Sequence, residues 1–100
     1  MIKHKKVYCN FFGYDYGDVI PCEVCKHDYI KNQTGMINEA VDIHHIVGRK
    51  MGGSKCCNIN EIYNLIAICR QHHIEAEANK QFNKQIKIIH LKNIIKKLES

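Results

Sequence analysis

Two ligand pairs constrain this chain more than any other feature: Cys22-Glu-Val-Cys25 and, far downstream, Cys69-Arg-Gln-His72. Two residues between ligands let one turn or one helix start carry both side chains to a single tetrahedral ion, and thiolates with imidazole suit zinc. Four protein ligands leave no open position, so the expected site is a structural Zn2+ whose binding energy becomes folding energy. A chain of 100 residues needs that help. It can bury only about two thirds of its unfolded surface, and its 45% hydrophobic content counts six cysteines and no tryptophan. The plainer alternative is that these cysteines are buried small hydrophobes. A redox role for Cys22 and Cys25 is weaker, because no βαβ pattern surrounds them. Cys9, Cys56 and Cys57 are left as free thiols, with the last two as alternate ligands.

Fifteen Lys and Arg against ten Asp and Glu give +5 with the histidines neutral, a surplus that fits a phosphate-bearing partner. No apolar run approaches the roughly 18 residues of a membrane span, so no membrane partner is expected. The basic stretch Met1 to Lys6 is followed by Val7 and then by polar Asn10 and Asp15, which is not an export signal. The expected location is the cytoplasm, where cysteines serve first as metal ligands and reduced thiols.

The chain reads as one domain over 1–100. Phe11 to Pro21 is turn-rich and reads as loop, and Lys31 to Gly35 reads as a turn between two short strands. Asn38 to Val47 is a β-branched strand with His44 and His45 near its end, and Gly48 to Asn60 is a glycine and asparagine loop. Tyr63 to Cys69 is a second strand, and Arg70 to Asn79 a helix. From Lys80 to Ser100 a lysine-rich tail carries Phe82, Ile86 and Ile89 on one helical face and Ile88, Leu91, Ile95 and Leu98 on nearly the opposite one. Two apolar faces need two partners, so the second face suggests a homodimer through this tail. The alternative is a strand over Ile86 to Leu91 with only the end helical.

Adjacent residues on a strand point to opposite faces, so His44 and His45 should do different jobs. His73 and Glu77 lie four apart on the predicted helix and share a face, as two ligands of one ion would. Alone, each pair reads better as exposed polar residues.

Their order changes that reading: Val41-Asp-Ile-His-His-Ile-Val, then Gly52-Gly53-Ser, then Asn64-Leu-Ile-Ala-Ile-Cys, then Arg70-Gln-His-His. This set resembles the HNH endonuclease family, from Cys22 to about Glu77. The resemblance implies an α+β fold: a zinc-stabilised ββα-metal, treble-clef-like core at about 22–77, with 80–100 as a helical tail. It also implies a metal-dependent nuclease that hydrolyses DNA in the cytoplasm of a bacterium or a phage-infected host cell. By it, His44 and His73 bind the catalytic divalent cation (Mg2+, Mn2+, Ni2+ or Zn2+), His45 is the general base, and Asn64 braces the loop or reaches the metal. Glu77 falls where some members carry a further ligand histidine, and Asp42 is the runner-up ligand. His72 replaces the second cysteine of the usual pair, a departure that zinc tolerates.

The chemistry agrees. A neutral imidazole can take a proton from water near neutral pH, and one divalent ion can relieve charge on the phosphate. Arg49 and Lys50 are candidate phosphate contacts that position DNA without reading bases. The alternative of another class is a zinc-stabilised nucleic-acid-binding module that does not cut.

Overall fold

The computed structural model describes residues 3–15, 17–47 and 60–100. Among them the order is helix α1 (Lys3–Phe12), helix α2 (Glu23–Asn32), strand β1 (Asp42–His45), a 3-10 turn (Ile62–Asn64), strand β2 (Leu65–Ile68), helix α3 (Arg70–Ala78) and helix α4 (Lys80–Glu99). It is a small α+β fold built on a two-stranded antiparallel sheet.

The sheet is short, yet it divides the core. β1 and β2 pair as Asp42 with Ile68, Ile43 with Ala67, His44 with Ile66 and His45 with Leu65. The pleat sends Ile66 and Ile68 to one side, where they join Val24, Ile46, Ala76, Ile86, the cysteines Cys22, Cys25 and Cys69, and the flanking Phe82. Leu65, Ala67 and Ile43 go to the other side, against Tyr8, Cys9 and Ile20. All four β2 residues are therefore buried, which explains an apolar run without alternation. Cys9 sits in this second cluster as a small hydrophobe.

Three sequence expectations need correcting. Phe11 and Phe12, expected in a loop, end helix α1, which stops where Gly13 takes φ 80° and its N–H, with that of Tyr14, bonds the Cys9 carbonyl. The stretch before the Lys31 to Gly35 turn is not a strand but α2. Its cap is Gln33, left-handed at φ 57°, with its N–H on the Tyr29 carbonyl. α2 has no apolar stripe to reveal it: its inward residues are Glu23, Val24 and Cys25, all in the first turn. Tyr63, expected in the second strand, lies in the 3-10 turn instead.

The residues from Lys80 onward form one helix, with no strand over Ile86 to Leu91, and it packs on α2, α3 and the 3-10 turn. Asn79 joins α3 to α4 without a spacer. Its N–H closes α3 on the Glu75 carbonyl, while its side-chain oxygen accepts from the N–H groups of Gln81 and Phe82, opening α4. The seam that α4 turns inward is Asn83, Ile86, His90 and Asn93, spaced three, four and three, so polar residues alternate with the buried Ile86. Ile88, Leu91, Ile95 and Leu98 stay exposed.

Candidate metal centres

Both ligand pairs occupy the same place in their helices. Cys22 is the N-cap of α2, with Cys25 three residues in; Cys69 is the N-cap of α3, with His72 three residues in. An N-cap side chain and the third helical residue both lean on the first turn, which is the physical content of the two-residue spacing. Helix N-termini also favour thiolate. The Cys22 sulfur accepts from the Cys25 N–H at 3.5 Å, and Asn38 reaches the Cys25 sulfur through Nδ2 at 3.6 Å.

The four donor atoms converge. His72 Nδ1 lies 3.4 Å from Cys22 Sγ, 3.6 Å from Cys25 Sγ and 3.3 Å from Cys69 Sγ, and the Cys25 and Cys69 sulfurs are 3.9 Å apart. A tetrahedral zinc with ordinary bond lengths requires about 3.8 Å between sulfurs and about 3.6 Å between sulfur and nitrogen. One ring nitrogen carries at most one hydrogen, so three hydrogen bonds cannot explain three close sulfurs. A shared cation explains all of them. Burial pushes the Cys22 thiol up to about 12, so thiolate there requires a cation. This Cys22, Cys25, Cys69 and His72 group can hold a structural metal ion such as zinc.

A second group lies where α3 passes β1. Donor atoms of His44, His73 and Glu77 all fall within 4.8 Å of one another. His73 Nε2 is 3.0 Å from Glu77 Oε1, and the His44 and His73 rings stand 5.0 Å apart. Asp42 is outside this group, 3.5 Å from the other His73 nitrogen, Nδ1. His44 is buried. That burial pushes its imidazole below the ordinary value, and nearby His73 and His45 push the same way against the hydrogen bond it donates to Asn83 and the charge of Glu77. A neutral ring with a lone pair is what a cation requires. The donor set of two imidazoles and one carboxylate suits a divalent ion with open positions.

No family model, curated protein or solved structure matches the chain.

The remaining expected residues separate by face. His45 does not join His44: it turns toward α1, its ring 4.7 Å from that of His4, with Nε2 2.9 Å from Asn60 Oδ1. Asn64 is buried and braces the exit of β1, its Oδ1 accepting from the Val47 N–H at 2.8 Å and its Nδ2 donating to the Val47 carbonyl at 3.1 Å. Arg49 and Lys50, with Cys56 and Cys57, lie outside the described residues. No helix among the described residues is long and apolar enough to cross a membrane.

Sequence reasoning missed a third constellation. The buried Glu23 carboxylate accepts from Tyr8 Oη at 2.7 Å, His90 Nδ1 at 2.9 Å, Asn93 Nδ2 at 2.8 Å and, more loosely, the Ala67 N–H at 3.3 Å. His90 Nε2 meets the Ile62 carbonyl at 2.6 Å. The Ile62 carbonyl can only accept, so His90 Nε2 carries a hydrogen, and one further hydrogen joins Nδ1 to Glu23, as it would between an imidazolium and a carboxylate. The only signal in the sequence was an acid inside the Cys-x-x-Cys, and acids read by default as exposed.

Proposed function

We propose that the chain is a metal-dependent HNH-type endonuclease that hydrolyses DNA phosphodiester bonds, and that β1, β2 and α3 with the Cys22, Cys25, Cys69 and His72 site form a zinc-stabilised ββα-metal, treble-clef-like core. One observation carries the reading. The first turn of α3 sends His72 to the zinc group while the next residue, His73, turns to His44, so one helix serves two metal groups of different chemistry. Successive helical residues point about 100° apart, which makes that division natural.

His44, His73 and Glu77 would hold the divalent cation, which when bound would supply charge relief for the scissile phosphate and the departing 3′ oxygen. His45 is the general base. With Asn60 Oδ1 accepting from Nε2, the hydrogen sits on that nitrogen and Nδ1 is left to take the proton of the attacking water. Asp42 acts on His73 from outside as the carboxylate partner of a ligating imidazole. α1 brings His4 onto His45, and the exposed Lys3, Lys5 and Lys6 of the same helix bring positive charge there for neighbouring phosphates. A scissile phosphate would have to reach His44, His73 and Glu77 on one face of β1 and His45 on the other.

One observation favours a non-cutting nucleic-acid-binding module: the strand places His45 on the opposite face from the cation group. Supercoiled plasmid incubated with the protein and Mg2+, Mn2+ or Ni2+, with and without chelator, separates the two. Nicked or linear product that depends on the cation and disappears in His45→Ala, with fold and zinc content intact, supports the nuclease. Binding without any cleavage overturns it.

A further inference from the structure

We infer that Asn83 is a positioning residue that fixes which nitrogen of His44 is offered to the cation. The inference rests on the reading of His44, His73 and Glu77 as a cation site. Asn83 lies in the second turn of α4, held there by the Asn79 cap. Its Nδ2 donates to the Ile46 carbonyl at 2.7 Å, and its Oδ1 lies 3.1 Å from His44 Nε2.

These two contacts settle each other. A peptide carbonyl only accepts, so the Asn83 atom facing Ile46 is the amide nitrogen, and the atom facing His44 is the oxygen. An amide oxygen also only accepts. His44 Nε2 must therefore carry a hydrogen, and in the neutral ring Nδ1 then holds the lone pair. A ligating histidine held through its other nitrogen is the usual means of fixing tautomer and ring orientation. Here the orienting group comes from a different helix than the other ligands. Asn83 thus ties α4 to the end of β1, where Ile46 also pairs its N–H with the Asn64 carbonyl at 3.0 Å.

The test uses the full chain carrying its structural zinc. Imidazole 15N NMR of the wild type should show His44 as the Nε2–H tautomer, and Nδ1 should be the nitrogen whose shift moves when a further equivalent of Zn2+ is added. Calorimetry with Mn2+ should show Asn83→Ala binding about 10- to 100-fold more weakly than wild type, with zinc content and melting curve retained. Asn83→Asp keeps an acceptor for Nε2–H and should recover most of that affinity; it also keeps the test alive if the alanine variant fails to fold. A wild-type His44 with its hydrogen on Nδ1, or a shift at Nε2 on adding Zn2+, overturns the inference and makes Asn83 Oδ1 a neighbour of the cation instead. So does Mn2+ affinity in Asn83→Ala within twofold of wild type. If the wild type takes up no second ion, the cation-site reading fails separately, while the tautomer still reports on Asn83.

Discussion

Replacing Glu23 with glutamine keeps the shape of the side chain and removes its charge, so it isolates what the buried carboxylate contributes. Its Oε1 receives Asn93, its Oε2 receives Tyr8 and Ala67, and His90 Nδ1 lies against both oxygens at 2.9 and 3.0 Å. The new amide nitrogen sits at lowest cost in place of Oε2, because the Tyr8 hydroxyl can turn round and accept. The Ala67 N–H then loses a bond that was already long. His90 fares worse. It loses its counter-charge, and to accept at Nδ1 from the new amide N–H it must stay neutral with its one hydrogen on Nε2, so a charge-assisted contact becomes a neutral one. A hydrogen bond to a charged group contributes about 1.5–3 kcal/mol, and breaking one side of a buried pair costs about 3–5 kcal/mol. With the Tyr8 bond recovered, Glu23→Gln should cost ~3 kcal/mol, or a Tm lower by roughly 12–24 °C for a domain of this size. Tyr8→Phe should cost about 1–2 kcal/mol, since the carboxylate keeps its other donors. The double variant should lose less than the sum, because both changes act on one carboxylate. The assay is urea unfolding at fixed free zinc, with zinc content measured in every variant because Glu23 adjoins Cys22. A loss below about 1 kcal/mol in Glu23→Gln at full zinc content, or strict additivity in the double variant, would refute an ionic network.

His72→Ala should lose bound zinc and unfold, whereas His73→Ala should keep one zinc per chain and a near-native melt yet lose affinity for Mn2+; elemental analysis with thermal melts decides, and equal zinc loss in both would end the two-site division. DNA binding should weaken steeply with salt, and Lys3, Lys5 and Lys6 changed together to glutamine should reduce the log–log salt slope by about 0.9 for each phosphate no longer neutralised; an unchanged slope in an anisotropy titration would remove α1 from the interface. The exposed α4 face of Ile88, Leu91, Ile95 and Leu98 should support a homodimer in sedimentation at micromolar concentration that Ile95→Lys dissociates, and wild type sedimenting only as monomer would exclude it.

What was legible in the sequence follows from what leaves a local pattern there. Cys22, Cys25, Cys69 and His72 were legible because an N-cap and the third helical residue are always two apart in the intervening count. β1, β2 and α3 were legible from β-branched runs and from uninterrupted helix formers, although the strand expected over Asn38 to Val47 is regular only over Asp42–His45. α1 and α2 were not. α2 is held by its cap and by the two cysteines it brings to the Cys/His group, and these leave no 3.6-residue period in Lys26, His27, Asp28 and Tyr29. The Glu23 and His90 pair was invisible because its partners are far apart in the chain, and no local rule marks a buried acid. The tail showed two apolar faces but not the polar seam between α4 and the rest. Asn83, His90 and Asn93 face inward there because each has a waiting partner, and hydropathy does not register partners.

The junction at Asn79 has a consequence for how this chain can vary in length. With no linker between α3 and α4, a single residue inserted there would advance α4 by about 1.5 Å and rotate it by about 100°. That one step would take Asn83 from His44, Ile86 from the cysteine-lined core, and His90 and Asn93 from Glu23, so it would strike both candidate metal groups and the Glu23 network together. A tolerated insertion or deletion therefore belongs elsewhere in the chain, in the exposed stretch between α2 and β1. Scanning single-residue insertions for retained zinc would map this as a sharp gap in tolerance at 78–83, the signature of a helix that serves as a ruler.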